Sequence, residues 1–252
     1  MPSPVFSIIT VTFNAAKVLE NTINSVQAQL YPNIEYIIID GASSDTTIDI
    51  AERYKSLKDI KIISERDNGL YDAMNKGMRI ATGDYVWFLN AGDVLKNESA
   101  VAQIARIAET NMMPDIIYGE TDLIDSEGNV FAERRLKTPE HLSWKKFKMG
   151  MLVSHQAFIV KRCIAPEYDL QYKLSADFDW CIRCMKTAGT IINSKLRLIN
   201  YQYEGVTTSN RKASLKERYK IMCNYYGVAP TQIRHIWFAV RFYWAKTFKN
   251  NS

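Results

Sequence analysis

Apolar runs and amphipathic stretches alternate along the first half of the chain. The apolar runs are short and rich in β-branched residues, which predicts buried β-strands; they cover 7–13, 36–39, 61–63, 85–89 and 115–118. After the first run, apolar side chains recur at the spacing of one helix face, at Val18, Leu19, Ile23, Val26 and Leu30. Further helices are predicted after a cap at Ser44 or Asp45, over 71–81 and near 97–109.

The predicted strands are apolar along their whole length instead of alternating apolar with polar. This pattern indicates an α/β fold in which a mostly parallel sheet is covered by helices on both faces. Ligands bind beyond the carboxyl ends of the strands in such sheets. The polar residues expected at that edge are Thr12, Asn14, Asp40, Asp45, Asp67, Asn75, Asn90 and Asp93.

The alternation fades after residue 130. A basic stretch, helical or looped, is predicted over 133–148, followed by a strand over 155–160 and a helix over 176–187. One or two strands are expected within 190–203, and helices over 214–226 and 231–248. The second half therefore predicts a less regular structure than the first.

Charge is distributed unevenly between the two ends of the chain. The 252 residues carry a formal net charge of +5, and 47% of them are hydrophobic, enough for a sizeable core. Residues 205–252 hold nine Lys or Arg and a single acid, whereas the first 204 residues have a net charge of −3. A basic tail of this kind suits contact with an anionic surface. No apolar run reaches the roughly 18 residues of a membrane span, and four cysteines without a disulfide-type spacing fit a reducing compartment.

The loop after the first predicted strand excludes two common nucleotide-binding motifs. Residues 14–17, Asn-Ala-Ala-Lys, contain no glycine, whereas the dinucleotide-binding turn and the P-loop both require glycines there. A nucleotide at this edge of the sheet would need another source of positive charge, and a divalent cation held by a carboxylate supplies one. Asp93 is the natural candidate for that carboxylate.

Seven stretches, in this order, resemble the family 2 glycosyltransferases with the GT-A fold: 7–14, 39–46, 68–77, 81–85, 88–93, 155–156 and 176–180. The block over 71–77, Tyr-Asp-Ala-Met-Asn-Lys-Gly, is similar to that of bacterial surface-polysaccharide enzymes. The resemblance implies a single Rossmann-like GT-A domain over 1–210, followed by a basic aromatic helical tail over 211–252. Within that domain the nucleotide-binding half would cover 1–125 and the acceptor half 126–210.

The function implied by the resemblance is an inverting transfer of a hexosyl or N-acetylhexosaminyl group. The donor would be a nucleotide sugar, a UDP-sugar, and the acceptor a hydroxyl of a lipid-linked or polysaccharide molecule in cell-surface glycan biosynthesis. Mn²⁺ or Mg²⁺ would serve as cofactor. The enzyme would be cytoplasmic and peripheral at the inner face of the plasma membrane.

The nucleotide-binding residues follow from the same resemblance. Asp40 matches the family's aspartate that contacts the base, and a carboxylate accepts well from a ring N–H. An acid directly after four apolar strand residues is also expected to have little structural use. Thr12 and Asn14 would line the same pocket, with Asp67 as a further candidate and Lys76 able to meet a phosphate.

The motif at 90–93 matches a family motif that usually contains two or three acids. Here only Asp93 remains to hold a cation, and Asn90 could bond a ribose hydroxyl. Asp177 matches the catalytic base, with Ala176 in place of the usual glutamate. Asp179 is the neighbouring acid, but on a helix it points away from Asp177, so Asp177 is the preferred general base.

Other functional residues have two interpretations each. His155 and Gln156 match the family's acceptor-side element, and the alternative for His155 is a buried structural histidine. Residues 204–208 resemble a mobile lid, which would let Arg211 and Lys212 reach the diphosphate, and the alternative is an ordinary loop. Asp45 is either a helix cap or a ligand contact.

The tail helix predicted over 231–248 mixes aromatic and basic residues, which suits an anionic membrane interface; docking on the domain or a dimer contact is the alternative. Nucleic acid is not an expected partner, because the basic excess is confined to the tail. Two other functions stay open. A sugar-phosphate nucleotidyltransferase would require a glycine-rich phosphate loop, and a non-catalytic nucleotide-sugar-binding protein would have no need of Asp177.

Overall fold

The computed structural model describes residues 3–55, 60–125, 127–202 and 210–237. Nine strands lie within these residues and form one sheet: β1 (Phe6–Thr12), β2 (Ile34–Asp40), β3 (Ile60–Ser64), β4 (Tyr85–Phe88), β5 (Val94–Leu95), β6 (Ile116–Ile124), β7 (Val130–Glu133), β8 (Phe158–Lys161) and β9 (Ile191–Gln202). The helices are α1 (Ala16–Gln27), α2 (Thr47–Lys55), α3 (Leu70–Ile80), α4 (Ala100–Thr110), α5 (Ala176–Thr187), α6 (Arg211–Tyr226) and α7 (228–237).

The order of strands in the sheet is β3-β2-β1-β4-β8-β6-β9-β5, with β7 paired to β6 outside this path. The strands β3, β2, β1 and β4 are parallel, as predicted for the first half of the chain. The antiparallel strand β8 joins β4 to β6, and β9 runs parallel to β6. The carboxyl ends of β1, β2 and β4 therefore meet at one edge, where Thr12 lies opposite Asp40.

The first half of the sheet is buried because its strands are apolar on both faces. All seven residues of β1 and all four of β4 are buried. Helix α1 adds Leu19, Ile23 and Val26 to this core, as their spacing predicts. Leu30 was expected on the same face, but α1 ends at Gln27 and Leu30 is 71% exposed. The chain has left the helix by then, since the Leu30 N–H donates to the Glu98 carbonyl at 2.9 Å.

The second half of the chain differs more from the sequence pattern. Strand β6 extends to Ile124, six residues beyond its predicted end, because β9 pairs along its whole length. Strands β5 and β7 were not predicted, since two to four residues are too few for a hydrophobic pattern. The predicted strand over 155–160 begins with a 3-10 turn at His155–Ala157, and only then does β8 follow.

Helix α5 is fixed to the sheet by aromatic side chains. The Trp180 ring stacks on Tyr168 with centroids 5.0 Å apart, and it meets Phe88 of β4 edge-on at 5.7 Å. Such contacts add to the burial of large rings, and Trp180 is fully buried. The first turn of α5 is thereby held close to the carboxyl end of β4.

Helix α6 packs against the start of α5. The hydroxyls of Ser175 and Ser214 are 2.9 Å apart, and Glu217 accepts from the N–H groups of Lys173 and Leu174 at 2.9 and 2.8 Å. These bonds connect α6 to the residues directly before the predicted base. The domain boundary predicted at residue 210 stays a prediction.

Of the tail helix predicted over 231–248, residues 238–248 lie outside the described residues. Among the helices that the structure does describe, none combines the length and the apolar character needed to cross a membrane. α7 exposes Val228, Ile233 and Ile236 at 56%, 68% and 65%. The described part of the tail therefore presents apolar side chains on its surface.

Candidate active site

Asp40 ends β2 and is fully buried. Its Oδ2 accepts from the Ser43 N–H at 2.9 Å and from the Ser64 hydroxyl at 2.7 Å, and its Oδ1 accepts from the Ser43 hydroxyl. The acid therefore has the structural use that sequence reasoning denied it: it holds the loop over 41–45 to β3. Each carboxylate oxygen has two lone pairs, so Oδ1 keeps one for a ligand.

Asn14 and Asp45 shape the neighbouring loops. Asn14 has a φ of +48°, and its N–H donates to the Ser43 hydroxyl at 2.8 Å. Asp45 acts as a helix cap, because its carboxylate accepts from the N–H of Thr47 at 3.0 Å and from that of Ala16 at 3.3 Å. The hydrogen bond from the Thr47 hydroxyl is the main cause that lowers the pKa of Asp45.

Asp67 and Lys76 lie beside the same edge of the sheet. A Cβ built on Gly41 would lie 2.5 Å from Asp67 Oδ2, so Asp67 closely borders the β2–α2 loop. The Lys76 ammonium donates to the Arg66 carbonyl at 2.6 Å and pairs with Glu65 at 2.9 Å. Lys76 is therefore already engaged by the β3–α3 loop, and its predicted phosphate contact would compete with these bonds.

Two polar atoms near the carboxyl ends of β1 and β4 are buried without a hydrogen-bond partner in the described part of the chain. They are Thr12 Oγ1 and Asn90 Oδ1. A buried polar group left unpaired is disfavoured by about 1–3 kcal/mol, so each such group needs an explanation. Both residues were predicted to contact the nucleotide, and a ligand at this edge would satisfy both atoms.

Asp93 is turned into the protein and is 3% exposed. Its Oδ2 accepts from the Gln156 amide at 2.8 Å, and its Oδ1 accepts from the Gln202 N–H at 3.1 Å. Burial raises the pKa of Asp93 to about 7, although these two bonds and the charge of His155 act in the opposite direction. Gln156, predicted on the acceptor side, thus donates a hydrogen bond to Asp93 and holds its carboxylate.

The residues around Asp93 do not fit the predicted Mn²⁺ or Mg²⁺ site. Gly92 has a φ of +98°, and a Cβ built there would lie 2.2 Å from Gln202 Oε1, so the Gln202 side chain fills the space beside position 92. Within the described ranges, no three His, Cys, Asp or Glu side chains are grouped to hold a metal ion. Asp93 is 3% exposed, and each of its oxygens already accepts one hydrogen bond from within the protein, so it is a buried carboxylate and not one that faces an open cation site.

Asp177 lies in the first turn of α5 and is 9% exposed. Its Oδ1 accepts from the Tyr71 hydroxyl at 3.1 Å and from the Phe178 N–H at 2.9 Å. Its Oδ2 lies 3.4 Å from His155 Nδ1, and His155 Nε2 lies 3.4 Å from the Asn90 amide nitrogen. His155 therefore links the predicted base to the end of β4, where the nucleotide was predicted to bind.

Opposing influences act on the charge of Asp177. Burial is the largest and raises the pKa of Asp177, but the hydrogen bond and charge of His155 and the charge of Arg218 together outweigh it, so the pKa is lowered. Burial and the charge of Asp177 raise the pKa of Tyr71, which keeps its hydroxyl as a donor. The result is a buried carboxylate that is ionised at neutral pH and can accept a proton.

Two arginines beside Asp177 were not predicted as site residues. The positive charge of Arg218, on α6, acts on Asp177, and Arg218 Nε is buried without a partner among the described residues. Arg134 follows β7; burial lowers its pKa, and the charge of Arg218 lowers it further. The only sequence signal was that they belong to the basic stretches 133–148 and 205–252. Together they give the predicted base a positively charged surrounding.

The predicted lid over 204–208 lies outside the described residues. Arg211 begins α6, but its side chain is also outside what the structure describes, and Lys212 is exposed on the same helix. The predicted contact of Arg211 and Lys212 with the diphosphate therefore stays a prediction.

The chain belongs to glycosyl transferase family 2, whose sequence model matches residues 7–164. It is 33% identical over 200 residues to the PGL/p-HBAD biosynthesis glycosyltransferase of Mycobacterium bovis (strain BCG / Pasteur 1173P2), covering 76% of this chain and 73% of the relative. It is 29% identical over 208 residues to the amylovoran biosynthesis glycosyltransferase AmsB of Erwinia amylovora, covering 78% and 69%. These relatives support a surface-polysaccharide type of family 2 glycosyltransferase.

Solved structures show the same fold. S. aureus TarS, residues 1–349, matches with a TM-score of 0.72 at 16% identity, over 93% of this chain and 72% of that chain. The same protein in complex with UDP-GlcNAc matches with a TM-score of 0.69 at 19% identity, over 86% and 64%. The predicted GT-A fold is thereby confirmed. Glycosyltransferases of this fold generally use a divalent cation, which makes the arrangement around Asp93 distinctive.

Proposed function

We propose that this chain transfers a hexosyl or N-acetylhexosaminyl group from a UDP-sugar to a hydroxyl of a lipid-linked or polysaccharide acceptor, with inversion at the anomeric carbon. The observation that carries the proposal is Asp177, a buried carboxylate that His155 and Arg218 keep ionised. The UDP-GlcNAc complex of TarS supports a UDP-sugar as donor. The amylovoran biosynthesis named for AmsB supports a cell-surface glycan as acceptor.

In the proposed reaction, the acceptor hydroxyl attacks the anomeric carbon from the face opposite the diphosphate. A new C–O bond forms, the bond to the diphosphate oxygen breaks with its electron pair, and the hydroxyl proton passes to Asp177. A single displacement of this kind inverts the anomeric centre. Tyr71 and the Phe178 N–H hold Asp177 Oδ1, which fixes the orientation of the carboxylate.

The leaving diphosphate gains negative charge, and Arg134 and Arg218 are the proposed groups that stabilise it. Guanidinium groups form charge-assisted hydrogen bonds with phosphates, and Arg218 Nε has no partner among the described residues. No step is assigned to Mn²⁺ or Mg²⁺, because the residues around Asp93 do not fit such a site. Arg211 and Lys212 stay further candidates for the same diphosphate.

The nucleotide would bind across the carboxyl ends of β1, β2 and β4. Thr12 Oγ1 and Asn90 Oδ1 would then gain the partners that they lack in the described structure. Asp40 would offer the remaining lone pair of Oδ1 to the uracil N–H, a contact that requires Ser43 to move because Asp40 is fully buried. Asn14 and Asp67 would border the same pocket from the adjoining loops.

The test measures nucleotide release by the purified full chain with UDP-, GDP-, CMP- and TDP-sugars, using lipid-linked and polysaccharide acceptors. Asp177→Asn should lower turnover with the UDP-sugar roughly 10²–10⁴-fold. The matched control is Asp49→Asn, which also removes an acid from the first turn of a helix, on the exposed face of α2. The control should retain full activity.

Three results would contradict the proposal. Equal turnover by wild type and Asp177→Asn would mean that another group is the base. Release with a donor other than a UDP-sugar would exclude the proposed donor. UDP binding without release on any acceptor would favour a non-catalytic nucleotide-sugar-binding protein. The nucleotidyltransferase alternative is disfavoured by membership of the glycosyltransferase family.

We further propose that α6 and α7 bring the enzyme to the anionic inner face of the plasma membrane. Lys212, Lys216 and Lys220 are exposed at four-residue intervals on α6, so they share one helix face. α7 follows directly with exposed Ile233 and Ile236. Cationic and apolar side chains together favour an interface that contains anionic lipid.

Flotation with lipid vesicles tests this membrane contact. The protein should float with vesicles that contain phosphatidylglycerol and not with phosphatidylcholine alone. Replacing Lys212, Lys216 and Lys220 with Glu should abolish flotation, because the charge on that face is reversed. Replacing Lys17, Lys55 and Arg106 with Glu changes the net charge equally, at exposed positions away from α6, and should leave flotation intact. Equal flotation of both triple variants would contradict the assignment.

A further inference from the structure

A second polar cavity lies on the face of α5 opposite Asp177. Asp179 is two residues further along the helix, which turns it about 200° from Asp177, and it borders this cavity. The cavity has a volume of about 380 Å³ and lies between α5, α6 and the segment before α5. We name it the α5–α6 cavity; the argument concerns its lining residues Asp169, Tyr172, Asp179, Arg183, Asn224 and Tyr225.

The centre of this lining is an ordered polar network. Asp179 is 5% exposed and accepts from Arg183 Nε at 2.6 Å and from the Tyr225 hydroxyl at 2.8 Å. On the other side, the Asn224 amide donates to the Tyr172 hydroxyl at 3.2 Å. Side chains on α5 and α6 are thus held in fixed positions around the cavity, and the proposed transfer uses none of them.

Arg183 contributes to the lining of the cavity a hydrogen-bond donor that is still unpaired within the described part of the chain. Its Nη2 is buried and has no hydrogen-bond partner among the described residues. A buried guanidinium N–H without an acceptor is disfavoured, and nearly all such groups in proteins are paired. A ligand oxygen in the cavity would supply the missing acceptor.

The remaining chemistry selects a neutral ligand. The acids Asp169 and Asp179 are balanced by Arg183 and by Lys220, whose ammonium lies 5.7 Å from the centre of the Tyr172 ring. With charges balanced, neither an anion nor a cation gains a strong advantage. Carboxylate, amide and guanidinium groups offer both acceptors and donors, and tyrosine adds an apolar ring face with a polar tip. Sugar residues match this set, since their hydroxyls donate and accept and their C–H faces pack on rings.

We propose that the α5–α6 cavity binds a neutral sugar unit of the glycan acceptor, at a distance along the acceptor from the hydroxyl that reacts. The inference rests on the proposed glycosyl transfer for the nature of the acceptor. Ligand pockets generally measure roughly 300–1,000 Å³, so this cavity has room for a small part of a glycan. The acceptor would then be held on both sides of α5, with its reactive end at Asp177.

Saturation-transfer NMR on the full chain tests the site directly. The probes are neutral di- to hexasaccharides of glucose, galactose, rhamnose and N-acetylglucosamine, with glucuronate-containing disaccharides as the charged set. A neutral saccharide should bind, and Asn224→Leu and Tyr172→Phe should each weaken that binding, Asn224→Leu by roughly tenfold because it leaves the ligand and Tyr172 without the amide. The matched control, Asn21→Leu on the exposed side of α1, should bind as wild type does.

The outcomes separate this inference from the proposed function, because the thermal shift caused by UDP is measured on the same samples. UDP stabilisation in all variants, with no neutral saccharide bound by wild type, would overturn the cavity inference alone. Binding that is undiminished in both cavity variants, or binding of the glucuronate set only, would overturn it as well. Saccharide binding that requires Asn224, without any UDP stabilisation, would support the cavity and count against the proposed transfer.

Discussion

Gly92→Ala should destabilise the protein, because both the backbone and the space at this position exclude a side chain. The φ of +98° lies in the region that residues with a Cβ rarely adopt, and such strain costs about 1–2 kcal/mol. The new Cβ would lie 2.2 Å from Gln202 Oε1, so the Gln202 side chain must move, which adds about 1 kcal/mol. The loss should total about 2–3 kcal/mol and lower the Tm by about 5–10 °C.

Urea unfolding followed by circular dichroism measures this loss, with an unchanged slope as the condition for comparing midpoints. Gly128→Ala isolates the backbone effect, since Gly128 has a φ of +86° and a Cβ there would meet no atom within 4 Å. The double variant with Gln202→Ala removes the close contact but keeps the backbone strain. The cycle should therefore give a coupling of about 1 kcal/mol between positions 92 and 202.

A Gly92→Ala protein within about 0.5 kcal/mol of wild type would refute the strain argument. Additive losses in the double variant would instead show that the Gln202 side chain does not exclude a Cβ. If the expected coupling is found, Gly92→Asp carries the same penalty. The two-acid motif usual in the family could then not be restored at this position without a second change at Gln202.

Three further predictions follow from the charges. His155→Gln should raise the pKa of Asp177, because it removes the first of the influences that oppose burial and leaves only the charge of Arg218 and the Phe178 N–H bond to oppose it; the acidic limb of the pH profile of UDP release should move to higher pH, and an unmoved limb would contradict this. Saturating UDP, at about 100 times its Kd, should add about 2.7 kcal/mol to the free energy of unfolding, and the gain should be the same with Mn²⁺ and with EDTA. Stabilisation by UDP that requires Mn²⁺ would refute the proposal that arginines balance the diphosphate charge. Burial raises the pKa of Glu35, but hydrogen bonds from Lys61 and from hydroxyl and N–H donors outweigh burial and lower the pKa to about 2. Because the pKa of Glu35 is lower in the folded than in the unfolded state, Glu35 stabilises the fold above its unfolded pKa, and this stabilisation is lost as the pH falls toward 2. Glu35→Gln should therefore make the urea midpoint depend less on pH in the acid range. Wild-type and variant midpoints that fall in parallel with pH would contradict this.

The first half of the fold was predictable because local pattern and tertiary environment agree there. A strand buried on both faces must be apolar throughout, and β1 is buried at every position. Helix α3, predicted over 71–81, spans Leu70–Ile80 because its apolar spacing and its final Thr-Gly give independent signals. The prediction that Leu30 lies on the buried face of α1 was wrong, because apolar spacing alone does not show where a helix ends. The Leu30 N–H is bonded to Glu98, a contact that no local pattern contains.

The candidate site also contains some residues whose positions the sequence predicts and others whose positions depend on tertiary packing. Thr12 and Asn90 could be predicted because parallel strands carry the residues after them to a common edge. Asp40 was predicted as a ligand residue, but its bond to Ser64 depends on β3 lying next to β2. Arg134 and Arg218 could not be placed, since one follows β7 and the other lies on α6, and only tertiary packing brings their charges to Asp177. Sequence reasoning thus located the strand ends but not the charges brought to them.

These charges lead us to expect that donor binding raises the pKa of the proposed base, Asp177. In the described structure, His155 and Arg218 lower the pKa of Asp177, which makes it a weak proton acceptor. A diphosphate paired with Arg218 would offset the positive charge that acts on Asp177, so the pKa of Asp177 should rise when the donor binds. The acidic pKa in kcat, which reports the bound enzyme, should then exceed that in kcat/KM, which reports the free enzyme. Arg218→Gln should bring the two values together, and equal values in wild type would show that the diphosphate does not reach Arg218.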